Sequence, residues 1–328
     1  MLISEIGENG LIQQINSWLT ELDHDSDFSS LPLFVGLGDD AAAWESSSQM
    51  TLLTTDTLVE DVHFNFETMN WYSLGWKSLA VNMSDIAAMG GDPQYATVSL
   101  ALPGDINVED VHSFYRGAID LSRKYGGKIV GGDVVKSQLV VITVSMIGIT
   151  NKQLLLMSSA NEGDVICVTG LLGGSAAGLK LLLSESASND NKELVILHQQ
   201  PNPRIADAKI IKQNGIKCAT DLSDGLLVDL LRVSQSSGVG AVIYSDSVPV
   251  NHLAKKYFPD DAQEMALNGG EDYELLFCGP LDLVNETLKK LSPDSAIIGK
   301  IVNGSGVKLV DSFGIPIELL NFGWDHFQ

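Results

Sequence analysis

The stretch TLLTTDTLVEDVHFNFETMNWYSLGWKSLAVNMSDIAAMGGDP, residues 51–93, decides the fold class. Its first nine residues, 51–59, are rich in β-branched side chains and turn polar towards their end, which predicts a strand. Residues 71–89 predict a helix, because Trp76, Leu79, Ala80, Met83, Ile86 and Ala87 recur on one face at helical spacing. Ser78, Asn82 and Asp85 share the opposite face, which read alone is a solvated one. Gly90-Gly91-Asp92-Pro93 stops the helix, and alternating residues at 95–102 predict the next strand.

The alternation continues outwards. Residues 108–125 form an amphipathic pattern with Val111, Phe114, Ala118 and Leu121 inward, ended by Gly126-Gly127. Strands at 128–130 and 139–149 then enclose Gly131-Gly132-Asp133 as a turn. Near residue 150 the chain changes character, so two domains are expected, 1–150 and 151–328. The second half offers a strand at 164–169, a helix opened by Gly173-Gly174-Ser175, a helix at about 204–214, and a strand at 216–220 that delivers Asp221 and Asp224 to a helix at 225–236. Strands at 241–244, 273–278, 296–301 and 307–310 complete a mixed sheet. Both halves read as α/β (α+β). The glycines at 173–174 are not followed by lysine in the first helical turn, which excludes a Walker-type loop and leaves close helix packing.

Composition narrows the function. The 328-residue chain is 45% hydrophobic, as an ordinary globular core requires. Its formal charge of −22 argues against a nucleic-acid partner, because there is no excess of Lys and Arg to release counterions. Cys167, Cys218 and Cys278 lie far apart in apolar stretches without metal spacing, so buried reduced thiols are expected. The N-terminus lacks a signal-peptide pattern, and the longest apolar run, 139–149, is too short to cross a bilayer. The expectation is a soluble cytoplasmic protein.

Six acidic signatures carry the chemistry: Gly38-Asp39-Asp40, Thr54-Thr55-Asp56, Asn82-Met83-Ser84-Asp85, Gly131-Gly132-Asp133, Asp221-Leu222-Ser223-Asp224 and Gly269-Gly270-Glu271-Asp272. Carboxylates gathered in one cleft repel each other by several kcal/mol per close pair at an effective dielectric of about 20. Something cationic must offset that repulsion, and hard oxygen ligands beside small residues favour Mg²⁺ bridged to phosphates. Asp56, Asp133 and the Asp221/Asp224 pair are expected where strands end. Asp224 would also serve as a helix N-cap, Asp39-Asp40 as a turn, His63 as a structural histidine among aromatics, and Trp324 as core or as a stacking face.

Taken in order, GLGDDAA (36–42), TTDTLVEDVHF (54–64), WKSLAVNMSDIAAMGGDP (76–93), GGD (131–133), TDLSDGL (220–226), GGEDYEL (269–275) and FGWDHF (322–327) resemble the thiamine-monophosphate kinase family. Its superfamily includes aminoimidazole ribonucleotide synthetase and selenophosphate synthetase. The resemblance implies that fold, with an N-terminal α/β domain pairing in a homodimer through its strands and a C-terminal α/β domain covering the cleft. It implies direct in-line phosphorylation of thiamine monophosphate by ATP with several Mg²⁺ ions. It assigns Asp39, Thr54, Thr55, Asp56, Asp85, Asp133, Asp221 and Asp224 to the metals, with Asp56, Asp85 and Asp133 catalytic through metal positioning. ATP is assigned to Tyr115, Gly132, Asp133 and Ser223, and thiamine monophosphate to His63, Glu271 and Trp324. Two positions depart from the family pattern. Met157 stands where an arginine usually touches the nucleotide, leaving Arg204 or Lys152 as substitutes, and Asp61 stands where glycine is common. Against the alternatives, residues 1–40 contain no cysteine for a selenophosphate synthetase, and EF-hand spacing is missing for a non-catalytic metal binder.

Overall fold

The structure, a computed structural model, describes residues 33–35, 39–46, 49–184 and 186–317. Two six-stranded sheets, each in its own α/β domain, organise the chain. The first contains β1 (Leu33–Val35), β2 (Ala42–Ser46), β3 (Gln49–Val59), β4 (Asp92–Leu102), β5 (Lys128–Lys136) and β6 (Val141–Thr150), in the order β1-β2-β3-β6-β4-β5. Period-two alternation along β3 buries Leu52, Thr54 and Leu58 on one side and exposes Leu53, Thr55 and Thr57 on the other. The buried side packs under helices α1 (Trp71–Ala88) and α2 (Val108–Tyr125).

Helix α1 starts at Asn70, whose side chain accepts the Ser73 amide at 2.9 Å. It crosses α2 at two glycines. A Cβ on Gly75 would lie 1.9 Å from the Phe114 carbonyl oxygen, and one on Gly117 would lie 1.9 Å from that of Tyr72. Only glycine permits backbones that close. The polar face of α1 is not solvated: Ser78 and Asn82 are buried, because that side is turned to the second domain.

The second domain comprises β7 (Val165–Val168), α3 (Gly174–Leu183), α4 (Lys192–Gln199), α5 (Ile205–Gln213), β8 (Cys218–Asp221), α6 (Leu226–Ser237), β9 (Gly240–Tyr244), α7 (His252–Tyr257), α8 (Ala262–Asn268), β10 (Leu275–Gly279), α9 (Leu281–Leu288), β11 (Ala296–Val302) and β12 (Gly306–Val310). Its sheet runs β12-β9-β11-β7-β10-β8 and is mixed, with β12 parallel to β9 and the other neighbours antiparallel. All three cysteines are buried and free. Gly173, with φ +82°, packs where a Cβ would lie 2.8 Å from the Ala266 amide, so these glycines serve close packing. Among the described residues no helix is long and apolar enough to cross a membrane.

Two expectations about strand ends fail. Gly131-Gly132-Asp133 is not a turn: β5 runs on to Lys136 in parallel with β4, with Gly132 opposite Val98 and Asp133 opposite Ser99. A Cβ on Gly132 would lie 1.9 Å from the Val98 carbonyl oxygen, so the glycine permits close strand pairing. Asp56 lies within β3, three residues before its end.

A carboxylate cleft between the two domains

The cleft is built from α1 and β3 on one side and from β8 and its following loop on the other. Carboxylate oxygens of Asp40, Asp85 and Asp221 lie within 4.8 Å of one another. Each is oriented by a neutral hydroxyl. Thr54 Oγ1 donates to Asp85 Oδ2 at 2.5 Å, Ser84 Oγ to Asp221 Oδ2 at 2.6 Å, and Thr220 Oγ1 to Asp40 Oδ1 at 3.0 Å. Burial, with Asp221 and Asp39 adding like charge, raises the Asp40 carboxyl well above its ordinary value. Burial and then Asp56 do the same for Asp85. Asp56 is pushed up to about 6 by burial, and Asp221 to about 7 by burial with Asp56 and Asp224 as like-charged neighbours. Asp40 Oδ2 and Asp56 Oδ2 are buried without a hydrogen-bond partner. Orphaned hard oxygens in a cluster that resists ionisation fit a divalent cation such as Mg²⁺.

Beside this cluster opens a cavity of about 610 Å³, whose walls include Asp56, His63, Ser223, Asp224 and Glu271. Nδ1 of His63 accepts the Val59 amide at 3.0 Å, which places the ring proton on Nε2. Glu271 holds a left-handed backbone at φ +65° and donates its amide to the Ser223 carbonyl at 2.7 Å. Its Oε1 lies 2.7 Å from Lys77 Nζ and its Oε2 3.3 Å from His198 Nδ1. Burial alone would raise the Glu271 carboxyl, but its basic neighbours, Lys77 foremost, hold it below the usual range. His198 is itself pushed down to about 3, by burial first and Lys77 second. Its 3.3 Å approach to Glu271 is therefore not an ion pair, and the hydrogen bond of Nδ1 is with Ser175 Oγ at 3.1 Å.

The loop before α6 is fixed by a residue that the sequence reading passed over. The Asp229 carboxylate accepts the Asp224 amide at 3.1 Å and the Gly225 amide at 3.2 Å. Arg232 bridges Asp229 at 2.9 Å and Asp224 at 2.6 Å. Asp224 is not the N-cap, a position held by Gly225 at φ +121°. Asp272, from the last of the six acidic signatures, accepts the amides of Gly173 at 2.6 Å and Ser175 at 3.0 Å, so the amides that open α3 already hold a carboxylate.

Not every assigned residue reaches the cleft. Thr54, Asp56, Asp85, Asp221 and Asp224 gather there with His63, Ser223 and Glu271. Asp40, rather than Asp39, joins the close trio, while Asp39 Oδ2 accepts the Met157 amide at 3.3 Å. Thr55 lines the cavity, but its hydroxyl is bonded across the sheet to the Val144 carbonyl and to Ser145 Oγ, each at 3.0 Å. Gly132 and Asp133 lie on the exposed edge strand β5. Tyr115 lines a separate cavity with Lys128 and Ile129. Trp324 lies outside the described residues. Neither cation offered for the absent arginine lines the cleft: Arg204 pairs with Glu274 and Asp207, and Lys152 with Glu45. Asp61, at φ +63°, occupies the left-handed conformation that explains the glycine common there.

Fold and cleft together define a two-domain protein related to AIR synthase. Residues 38–150 match the family described as AIR synthase related protein, N-terminal domain, and 161–312 match its C-terminal domain. Thiamine-monophosphate kinase from Aquifex aeolicus is 37% identical over 100% of both chains, and that from Escherichia coli K12 is 35% identical over 91% of this chain and 94% of the relative. The solved structure of AaThiL complexed with AMPPCP and TMP superposes with a TM-score of 0.85 at 35% identity, covering 99% of each chain. The chain belongs to the thiamine-monophosphate kinase family.

Proposed function

We infer that this chain transfers the γ-phosphoryl group of ATP to the phosphate of thiamine monophosphate, giving thiamine diphosphate and ADP. The observation that carries the reading is the cavity between the domains, with an ionised Glu271 and a proton-bearing His63 on one wall and the carboxylate trio beside it. The P–O bond to the ADP bridging oxygen breaks as an oxygen of the acceptor phosphate bonds to phosphorus, in line and without a phosphoenzyme. That acceptor is already anionic, so no strong general base is needed. Charge neutralisation between the two anionic reactants is the chemistry that divalent cations would supply here when bound. Asp40, Asp56, Asp85, Asp221 and Asp224 would hold them, oriented by Thr54, Ser84, Thr220 and Arg232. Ser223 faces the nucleotide, and His63 Nε2 and Glu271 orient the acceptor.

The same reading extends to assembly. Leu53, Ile147 and Tyr95 stand opposite one another across β3, β6 and β4 on the uncovered face of the first sheet, and Val135, opposite Ala101, is exposed on the same face of β5. A contiguous apolar row of this kind is suited to a second copy of the chain, so the enzyme works as a homodimer. Three buried free thiols suit the reducing cytoplasm.

The test is ADP and thiamine diphosphate release from the purified protein given ATP, Mg²⁺ and thiamine monophosphate, with free thiamine as control. Production of thiamine diphosphate that disappears with EDTA supports the reading. Phosphorylation of free thiamine instead, or no product, overturns it.

A further inference from the structure

We propose that Lys77 and His198 are positioning residues that clamp the Glu271 carboxylate and thereby set the affinity for the acceptor substrate. The proposal rests on the reading of the cleft given above.

The clamp joins three separate parts of the fold. Lys77 comes from α1 in the first domain, His198 from the last turn of α4, and Glu271 from the loop after α8. Lys77 is 1% exposed and His198 3%, whereas Glu271 is 27% exposed and forms part of the cavity wall. Each carboxylate oxygen is approached by a different nitrogen, Oε1 by Lys77 Nζ at 2.7 Å and Oε2 by His198 Nδ1 at 3.3 Å. His198 is itself fixed, since its Nδ1 also lies 3.1 Å from Ser175 Oγ. An ionised carboxylate offers about four lone-pair sites, so acceptor capacity is left for the cavity while the two nitrogens hold the group in place.

A buried ion pair is a poor device for stability alone, because well-packed apolar residues of similar volume usually do as well. Here the pair maintains ionised oxygens at the edge of a ligand cavity, on a backbone already held in the left-handed region. Lys77 sits 2.7 Å from Oε1 and offsets the charge, which favours directional recognition. It suits an N–H or O–H donor on the acceptor, rather than a diffuse cation.

The experiment compares Lys77→Met, His198→Phe and His198→Asn with the parent enzyme by steady-state kinetics, varying each substrate in turn, alongside thermal melting. His198→Phe fills the space but removes the donor, whereas asparagine can return an N–H near the position of Nδ1. Lys77→Met and His198→Phe are expected to raise KM for thiamine monophosphate about tenfold or more, with KM for ATP within about twofold and kcat little changed. His198→Asn should recover most of the loss. A double variant, Lys77→Met with Glu271→Gln, should be no worse than Glu271→Gln alone. Failure of the parent enzyme to use thiamine monophosphate would sink the underlying reading. A parent that turns over, with acceptor KM unchanged in both variants, would sink the clamp. So would equal rises in both KM values, or loss of the folded state in both variants, since either outcome marks a structural bridge.

Discussion

Asp85→Asn should stabilise the metal-free protein while sharply reducing its response to magnesium and abolishing its turnover. The side chain keeps its shape, and Asn Oδ1 can still accept the Thr54 hydroxyl that Asp85 now accepts at 2.5 Å. What is lost is charge. Two other carboxylates have oxygens within 4.8 Å, and at an effective dielectric of about 20 each like-charge contact costs about 3 kcal/mol when both groups are ionised. Protonation relieves part of this, because Asp56 and Asp221 are held up to about 6 and about 7 against an ordinary 3.8. Between those values the folded state binds protons that the unfolded chain releases. Metal-free stability should therefore fall as pH rises from about 4 through about 7. Asp85→Asn should flatten that slope and gain about 1–3 kcal/mol at pH 8, a rise of several degrees in melting temperature. Scanning calorimetry in EDTA at pH 5 and pH 8, then with Mg²⁺, reads all three effects. Parent protein should rise on adding Mg²⁺, as binding to the folded state alone requires, and the variant should rise far less. A variant that melts below the parent in EDTA at pH 8, or keeps the full magnesium shift, refutes the electrostatic account of the cluster.

Other outcomes follow from single positions. Asp61→Gly should leave turnover intact and the melting temperature unchanged or higher, because left-handed strain of about 1 kcal/mol is removed against glycine's added entropy cost of similar size; a clear loss of stability in urea would show that the Asp61 side chain contributes more than its backbone costs. Gly117→Ala should destabilise by more than 1 kcal/mol in urea denaturation, since its Cβ would collide with the Tyr72 carbonyl where α1 and α2 cross. If the uncovered face of the first sheet pairs two copies, Val135→Glu should shift sedimentation from dimer to monomer, and an unchanged dimer would move the interface elsewhere.

Periodicity made most of the architecture legible. The alternation at 51–59 and the apolar face of 71–89 become β3 and α1 because one sheet face and one helix face bury the residues that the pattern picks out. The same alternation explains why Thr54 and Asp56 share a side of β3 while the Thr55 hydroxyl bonds across the other. What stayed hidden was decided by distant contacts. Nothing local distinguishes Asp39 from Asp40; Thr220, 180 residues away, holds the second. Lys77 and His198 look like a surface lysine and an ordinary helical histidine until the loop carrying Glu271 folds between them. Asp133 reads as a turn aspartate because pairing between β4 and β5 leaves no local mark.

The choice of donors explains how so acidic a cleft folds at all. Lysine or arginine beside Asp40, Asp85 or Asp221 would neutralise the carboxylates permanently and compete with any cation. Hydroxyls orient them instead, and two of the three contacts cross between domains: Ser84 reaches Asp221, and Thr220 reaches Asp40. Each domain thus fixes carboxylates of the other without cancelling their charge. Full cationic partners are kept one step back, with Lys77 behind Glu271 and Arg232 behind Asp224. Negative potential is left highest where two oxygens stay unpaired, on Asp40 and Asp56. Domain docking and the proposed cation site therefore draw on the same carboxylates, so metal affinity should weaken whenever an interdomain hydroxyl is lost, even though no carboxylate has been removed.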